Sequence, residues 1–257
     1  MSAVIVHRET DVVAFALRVL PVLLEREIQH NVMLGLFSVL QARRPEVPPW
    51  LAWAERGGGL GGGGLRTGGR NIVLAAGRDH EVIEALARDR YSDQPALPGV
   101  LSSAETAATF AAIWQQLSGQ TGQLGRSERL YRLTEVRPVP AVAGPLRPAL
   151  DSDIELVADW WLAFSAEAVE PVTRERALQA IANRYGVDPL VGGLRLWEVE
   201  GVPVSLAGYT GPTPNSIRIG PGYTPPEQRG RGYATAAVAQ LSRELLDKGF
   251  ACVTLFT

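Results

Sequence analysis

The sequence predicts an α/β protein, mixed sheets flanked by helices, built as two successive halves. Three observations predict it. Residues 216–256 read as strand, turn, helix and strand: Ala234, Ala237, Val238, Leu241 and Leu245 keep the spacing of one helical face, and residues 251–256 are an apolar run of the kind a buried parallel strand needs. The first half alternates helices and strands in a similar order but lacks the same turn. Between the halves, RPVPAVAGP at 137–145 carries prolines that deny ladder donors and stiffen the chain, so it reads as a linker. The expected domains are residues 1–136 and 146–257.

Composition sets the outer limits. With 257 residues, 46% hydrophobic and 20% charged, the chain can bury a sizeable core, and a net charge of −2 argues against a general nucleic-acid or anionic-membrane binder. Cys252 is the single cysteine, which excludes an internal disulfide framework, and with it the scattered His7, His30 and His80 predict no metal site. The N-terminus is charged too early for a signal peptide, and no apolar run reaches the roughly 18 residues of a membrane span. A cytoplasmic, reducing setting is expected.

Taken in order, residues 11–26 and 31–42 are expected helices, capped by Asp11 and Asn31. Val12, Phe15, Leu17 and Leu20, then Val32, Leu36 and Val39, are their expected buried faces, with a kink at Pro21. Residues 50–55 form an apolar strand. RGGGLGGGG at 56–64 fits R-x-x-G-x-G, but a phosphate turn must open onto a helix, and this one leads to the apolar strand 71–76. It reads as a hairpin with a glycine-weakened second strand, a flexible linker being the second choice. A helix at 81–89, a strand at 99–101, a helix at 104–117 and a strand at 129–136 complete this half.

The second half opens with a short strand at 146–149, and Asp151-Ser152-Asp153 caps a helix through Ile154, Val157, Trp160, Trp161 and Phe164. Its aromatic residues read as core in preference to an acceptor pocket. A second helix covers 173–185, capped by Thr173. Glu167 and Glu170, in the connection, read as solvated carboxylates, with attraction of a cationic amine as the alternative. Strands 194–199 and 202–209 form a hairpin about Glu200-Gly201. In the following strand Gly220-Pro221-Gly222 breaks the Ile217, Ile219 alternation, so a bulge or splay is expected.

At 229–234, RGRGYA, the chemistry concentrates. Gly230 and Gly232 admit positive φ and remove side chains, so unpaired N–H groups at the start of the next helix can face an anion, and Arg229 and Arg231 add charge. A helix end contributes about 0.3–1 kcal/mol and a charge-assisted hydrogen bond about 1.5–3 kcal/mol, so amides and arginines must act together. The bland reading is an arginine-glycine surface turn.

RGRGYA, with the strand and YTPPEQ before it and the helix after it, resembles the Q/R-x-x-G-x-G/A signature of the GNAT acyltransferases. Residues 146–257 match that family's element order through its fifth strand. The resemblance implies tandem GNAT-like folds, the first a degenerate half without cofactor. It implies acetyl-CoA as cosubstrate, with Arg229, Gly230, Arg231, Gly232, Tyr233 and Ala234 around the pyrophosphate and Tyr223 and Thr224 beside the pantetheine arm. The implied reaction is acetyl transfer to an amine by direct attack on the thioester, the alternative being a non-catalytic CoA-binding or regulatory module. The acceptor, a small molecule or peptide, is not readable, and no spacing selects a catalytic group among Glu167, Glu170, Glu198 and Glu227. A homodimer is the candidate assembly, and neither nucleic acid nor membrane is an expected partner. In the family the fifth strand is followed by a helix and two more strands, so the resemblance implies a second domain cut short at Thr257, with the edge of its last strand uncovered.

Overall fold

The computed structural model describes residues 3–42, 47–168 and 170–257. The chain divides into two compact units, Met1–Glu128 and Arg129–Thr257.

In the first unit the elements are β1 (Val4–Glu9), α1 (Val12–Glu25), α2 (Asn31–Ala42), β2 (Trp50–Arg56), β3 (Gly59–Arg66), β4 (Ile72–Ala75), α3 (His80–Asp93), β5 (Val100–Leu101) and α4 (Ala104–Ser118). The sheet order is β1-β2-β3-β4-β5. Neighbours are antiparallel except β4 and β5, which α3 joins in parallel. Helices α1 and α2 cover one face, and α3 and α4 the other. The α1 cap is Asp11, which accepts from the Ala14 amide. The expected helix faces need correction. Leu17 points outward at 67% exposure, while α2 turns Met33, Leu34, Phe37 and Leu40 inward. An α2 that is apolar nearly all round carries no period sharp enough to choose its buried side.

The glycine run forms the hairpin, with Gly57 and Gly58 turning at φ 61° and 79°. Its second strand is glycine-rich because its surroundings are close. A Cβ on Gly62 would lie 2.6 Å from Ala76 Cα, and one on Gly64 would lie 2.7 Å from the Trp50 ring.

The second unit repeats the plan: β7 (Leu146–Pro148), α5 (Ile154–Ala168), α6 (Arg174–Ala182), β8 (Gly192–Val199), β9 (Val202–Thr210), β10 (Ser216–Tyr223), α7 (Tyr233–Asp247) and β11 (Cys252–Phe256), preceded by β6 (Leu130–Leu133). The sheet order is β6-β11-β10-β9-β8-β7. Strands β10 and β11 are parallel, with α7 packed on one face and α5 and α6 on the other. Arg147 holds the start of this unit together by donating to Asp153 and Glu198, and Asp153 also accepts from the Leu150 amide at 2.7 Å.

Three expectations about the middle and end of the chain are corrected. The strand expected to close the first domain at 129–136 is β6, and it belongs to the second sheet, so the boundary lies between Glu128 and Arg129 rather than after 136. Residues 137–145 are not a free linker: Ala143 O accepts from Trp197 Nε1 at 2.8 Å, Pro145 O accepts from the Glu198 amide at 3.0 Å, and Val142 packs into the α7 core. The edge of β11 is not bare, because β6 pairs along it from Val253↔Leu133 to Phe256↔Leu130. Local periodicity assigns a strand but not its sheet, which is a long-range choice.

Candidate functional site

The site is built where β10 and β11 part. They pair at Ser216↔Cys252, Ile217↔Val253 and Arg218↔Thr254, and no further. Beyond Arg218, β10 stays bound to β9 through a bulge between Ile219 and Gly222, reaching Tyr223↔Leu206, while β11 continues with β6. A strand edge of main-chain groups is left facing the gap. The sequence places Pro221 and two glycines at this point, and the expected splay is there.

Helix α7 starts just past the C-terminal end of β10. Its N-cap is Gly232 at φ 83°, with no side-chain cap, and its first backbone bond runs from Ala236 N–H to Gly232 O at 3.0 Å. The amides of Tyr233, Ala234 and Thr235 precede that bond. Gly230 also sits at positive φ, 77°, with open space where a Cβ would project. Arg231 is exposed and has no ion-pair partner among the described residues. Tyr233 directs its ring into the α7 core, so it offers its amide alone. Val142 Cγ1 lies 3.1 Å from where a Cβ on Gly232 would be, so a wall stands beside the cradle that the sequence motif does not announce.

Arg229 is engaged within the chain. Its amide donates to Pro226 O at 3.2 Å, and its guanidinium donates to Thr224 O at 2.8 Å and to Glu167 Oε2 at 2.7 Å. The bond to Glu167 raises the Arg229 pKa further above its ordinary value. Arg229 thereby ties the turn before α7 to the end of α5. Thr224 is committed as well, its hydroxyl sharing a 2.8 Å bond with Ser205.

Glu167 lies within α5 and not in the connection after it, and it is engaged rather than simply solvated. Besides Arg229 it meets the Tyr223 hydroxyl at 3.5 Å, the outer limit of a hydrogen bond. Tyr223 is buried, tilted against Trp160 at 6.2 Å, with the Arg229 guanidinium 5.6 Å from its ring centre. Burial first, then the Glu167 charge, raises the Tyr223 pKa, so it keeps its proton at neutral pH. Glu198 is held by Arg147 at the start of the second unit, beside Asp153, and not against Tyr223 at the end of β10. Glu227 sits exposed in a short 3-10 turn and Glu170 is exposed. Sequence spacing could not select among these carboxylates, because the neighbours that separate them come from α5, β7 and the turn before α7.

The equivalent place in the first unit is filled by the chain itself. Asp79 caps α3, accepting from the Glu81 and Val82 amides, and its bond to Arg56 lowers its pKa. Ser102 donates to Leu74 O at 2.9 Å, and Thr106 donates to Gly77 O at 2.5 Å, occupying carbonyls beside the β4 and β5 parting. An anion meeting that helix start would face a carboxylate in place of bare amides.

Among the described residues no cluster of His, Cys, Asp or Glu could hold a metal ion, and no helix is long and apolar enough to cross a membrane. No known family model matches the chain, and no curated protein matches it. Solved structures do. A GCN5-related N-acetyltransferase from Kribbella flavida is 17% identical with a TM-score of 0.57, over 88% of this chain and 85% of that one. An acetyltransferase of the GNAT family from Colwellia psychrerythraea is 11% identical with a TM-score of 0.53, over 98% of this chain and 89% of that one. With its paired mixed sheets, parted parallel strands and helix after the parting, the chain has the fold of the GCN5-related N-acetyltransferases.

Proposed function

We propose that the second unit binds acetyl-CoA and transfers its acetyl group to an amine. The observation that carries this reading is the pair of bare features at one place: a glycine-capped helix start with unspent amides, directly beyond the unpaired edge of β10. The residues fit a diphosphate. Gly230 and Gly232 leave the space, the amides of Tyr233 and Ala234 supply donors, and Arg231 supplies charge without a competing partner. The bound cosubstrate supplies an activated acyl thioester. The chain's own residues then hold an amine beside the gap and manage its proton. Glu167, which meets the Tyr223 hydroxyl at the end of β10, serves as the proton acceptor for the amine. Tyr223, kept protonated by burial, is the adjacent hydroxyl donor for the departing sulfur. Val142 and the docked 137–145 segment flank the cradle.

The first unit has no part in cofactor binding, since Asp79, Ser102 and Thr106 already use the groups a cofactor would need.

The test is acetyl transfer to a panel of amines with the purified 257-residue chain. Glu167→Gln should lower kcat by about 10²–10⁴-fold with acetyl-CoA affinity retained in calorimetry. Undiminished turnover in Glu167→Gln contradicts the assignment. Tight CoA binding without turnover on any amine would instead make this a CoA-binding module.

A further inference from the structure

The turn that carries the cradle also carries the partner of the proposed base. Arg229 opens RGRGYA, three residues before the Gly232 cap of α7, but its guanidinium is spent on the end of β10 and on α5. Nε donates to Thr224 O at 2.8 Å, Nη2 donates to Glu167 Oε2 at 2.7 Å, and the group lies 5.6 Å from the Tyr223 ring centre. One cation therefore stands between the cofactor side and the amine side of the site.

The bond to Glu167 is open to water. Side-chain exposure is 46% for Arg229 and 48% for Glu167, and such ion pairs contribute little because solvent and salt screen them. Arg147, by contrast, grips Asp153 and Glu198 with all three side chains mostly covered. A diphosphate carries more charge than one solvated carboxylate, and its oxygens match the fork of guanidinium N–H groups. Seated on the Tyr233 and Ala234 amides, it would compete with Glu167 for Arg229 and prevail.

The surroundings tolerate the exchange. Gly230, next to Arg229, has φ 77° with nothing within 4 Å of where a Cβ would project, so the turn sets no side chain of its own at that position. The end of β10 does not depend on Arg229 alone. Ser205 Oγ lies 3.2 Å from Tyr223 O and 2.8 Å from Thr224 Oγ1, and the Tyr223 ring is seated against Trp160. Releasing Arg229 therefore leaves Tyr223 and Thr224 anchored.

We propose that Arg229 is a positioning residue that changes partner: it holds Glu167 until the cofactor's diphosphate takes its place, and then uncovers the Glu167 carboxylate for the incoming amine. This rests on the acetyltransferase reading above. With Arg229 on the diphosphate, Glu167 presents an unmatched negative charge beside the Tyr223 hydroxyl, which draws a protonated amine and can take its proton. Cofactor and amine thereby favour one another's binding, and the coupling runs through one side chain.

The experiment is a double-mutant cycle on coenzyme A affinity, measured by isothermal titration of the 257-residue chain, Glu167→Gln, Arg229→Gln and the double variant. Glu167→Gln keeps the cofactor's affinity and should tighten it by about twofold to fivefold, the worth of an exposed pair that no longer competes. Arg229→Gln should weaken it by about tenfold. Adding Glu167→Gln to Arg229→Gln should then change nothing, because no shared cation is left. Acetylpantetheine, which lacks the diphosphate, should bind all four proteins alike. Weaker coenzyme A binding in Glu167→Gln overturns the proposal, since a pair that only braced the turn would behave so. Equal affinity in Arg229→Gln and the unaltered chain also overturns it. So does a tightening by Glu167→Gln that persists without Arg229, which is plain charge repulsion, or one that appears with acetylpantetheine. If the unaltered chain binds no coenzyme A, the acetyltransferase reading falls and the exchange with it; if it binds without the cycle's coupling, the exchange alone falls.

Discussion

Single side chains decide what the site can do. Tyr223 is the clearest case: its ring is buried against Trp160, and burial together with Glu167 raises its pKa. If it donates a proton, the alkaline limb of kcat lies above the ordinary tyrosine value of about 10, and Tyr223→Phe lowers kcat with little effect on the KM for acetyl-CoA. A Tyr223→Phe enzyme with unaltered kcat would reduce the residue to core packing. Away from the gap, Asp153 has its pKa lowered mainly by the Arg147 hydrogen bond. Its contribution is present above the unfolded value of about 3.9 and is lost as pH falls through the lower folded value. Asp153→Asn should therefore cost about 1–3 kcal/mol at pH 7 and flatten the loss of stability between neutral and acid pH, as denaturant unfolding at several pH values will show. At this scale the sequence was legible where backbone chemistry dictates identity. Gly230 and Gly232 sit at the positive φ that their motif requires. It was illegible where a side chain chooses between partners: nothing in the sequence pairs Arg229 with Glu167, sixty-two residues earlier.

Elements were legible by period and punctuation. The amphipathic α7, the Glu200-Gly201 hairpin turn and the Asp11 and Thr173 caps each follow from local rules, and each is found. Strand β6 was visible as a strand but assigned to the wrong sheet, because its partner β11 lies more than a hundred residues away. The glycine-rich β3 was expected to be weak, and the structure gives the opposite reason for its composition. Its glycines admit Trp50, Val82 and Ala76 to near contact. Gly62→Ala should destabilise the chain by about 1–3 kcal/mol through overpacking, measured as a shift in denaturant midpoint. A neutral substitution there would show that the strand's neighbours yield freely.

At the scale of the whole chain, the two units repeat one sheet order but differ at one helix start. In the first, a carboxylate caps α3 and hydroxyls occupy the parting of the strands. In the second, a bare glycine caps α7 and the parting is open. The sequence indicated this asymmetry through RGRGYA in one half and its absence in the other, whereas the docking of residues 137–145 beside the cradle depends on Trp197 and Glu198, far along the chain. The most direct measurement is isothermal titration of the 257-residue chain with coenzyme A, alongside Gly232→Val, whose branched side chain would meet Val142 and have to adopt a positive φ at a cost of about 1–2 kcal/mol. The account predicts one site per chain, with affinity reduced at least about tenfold in the variant. Two sites per chain, or equal affinity in both proteins, would contradict it.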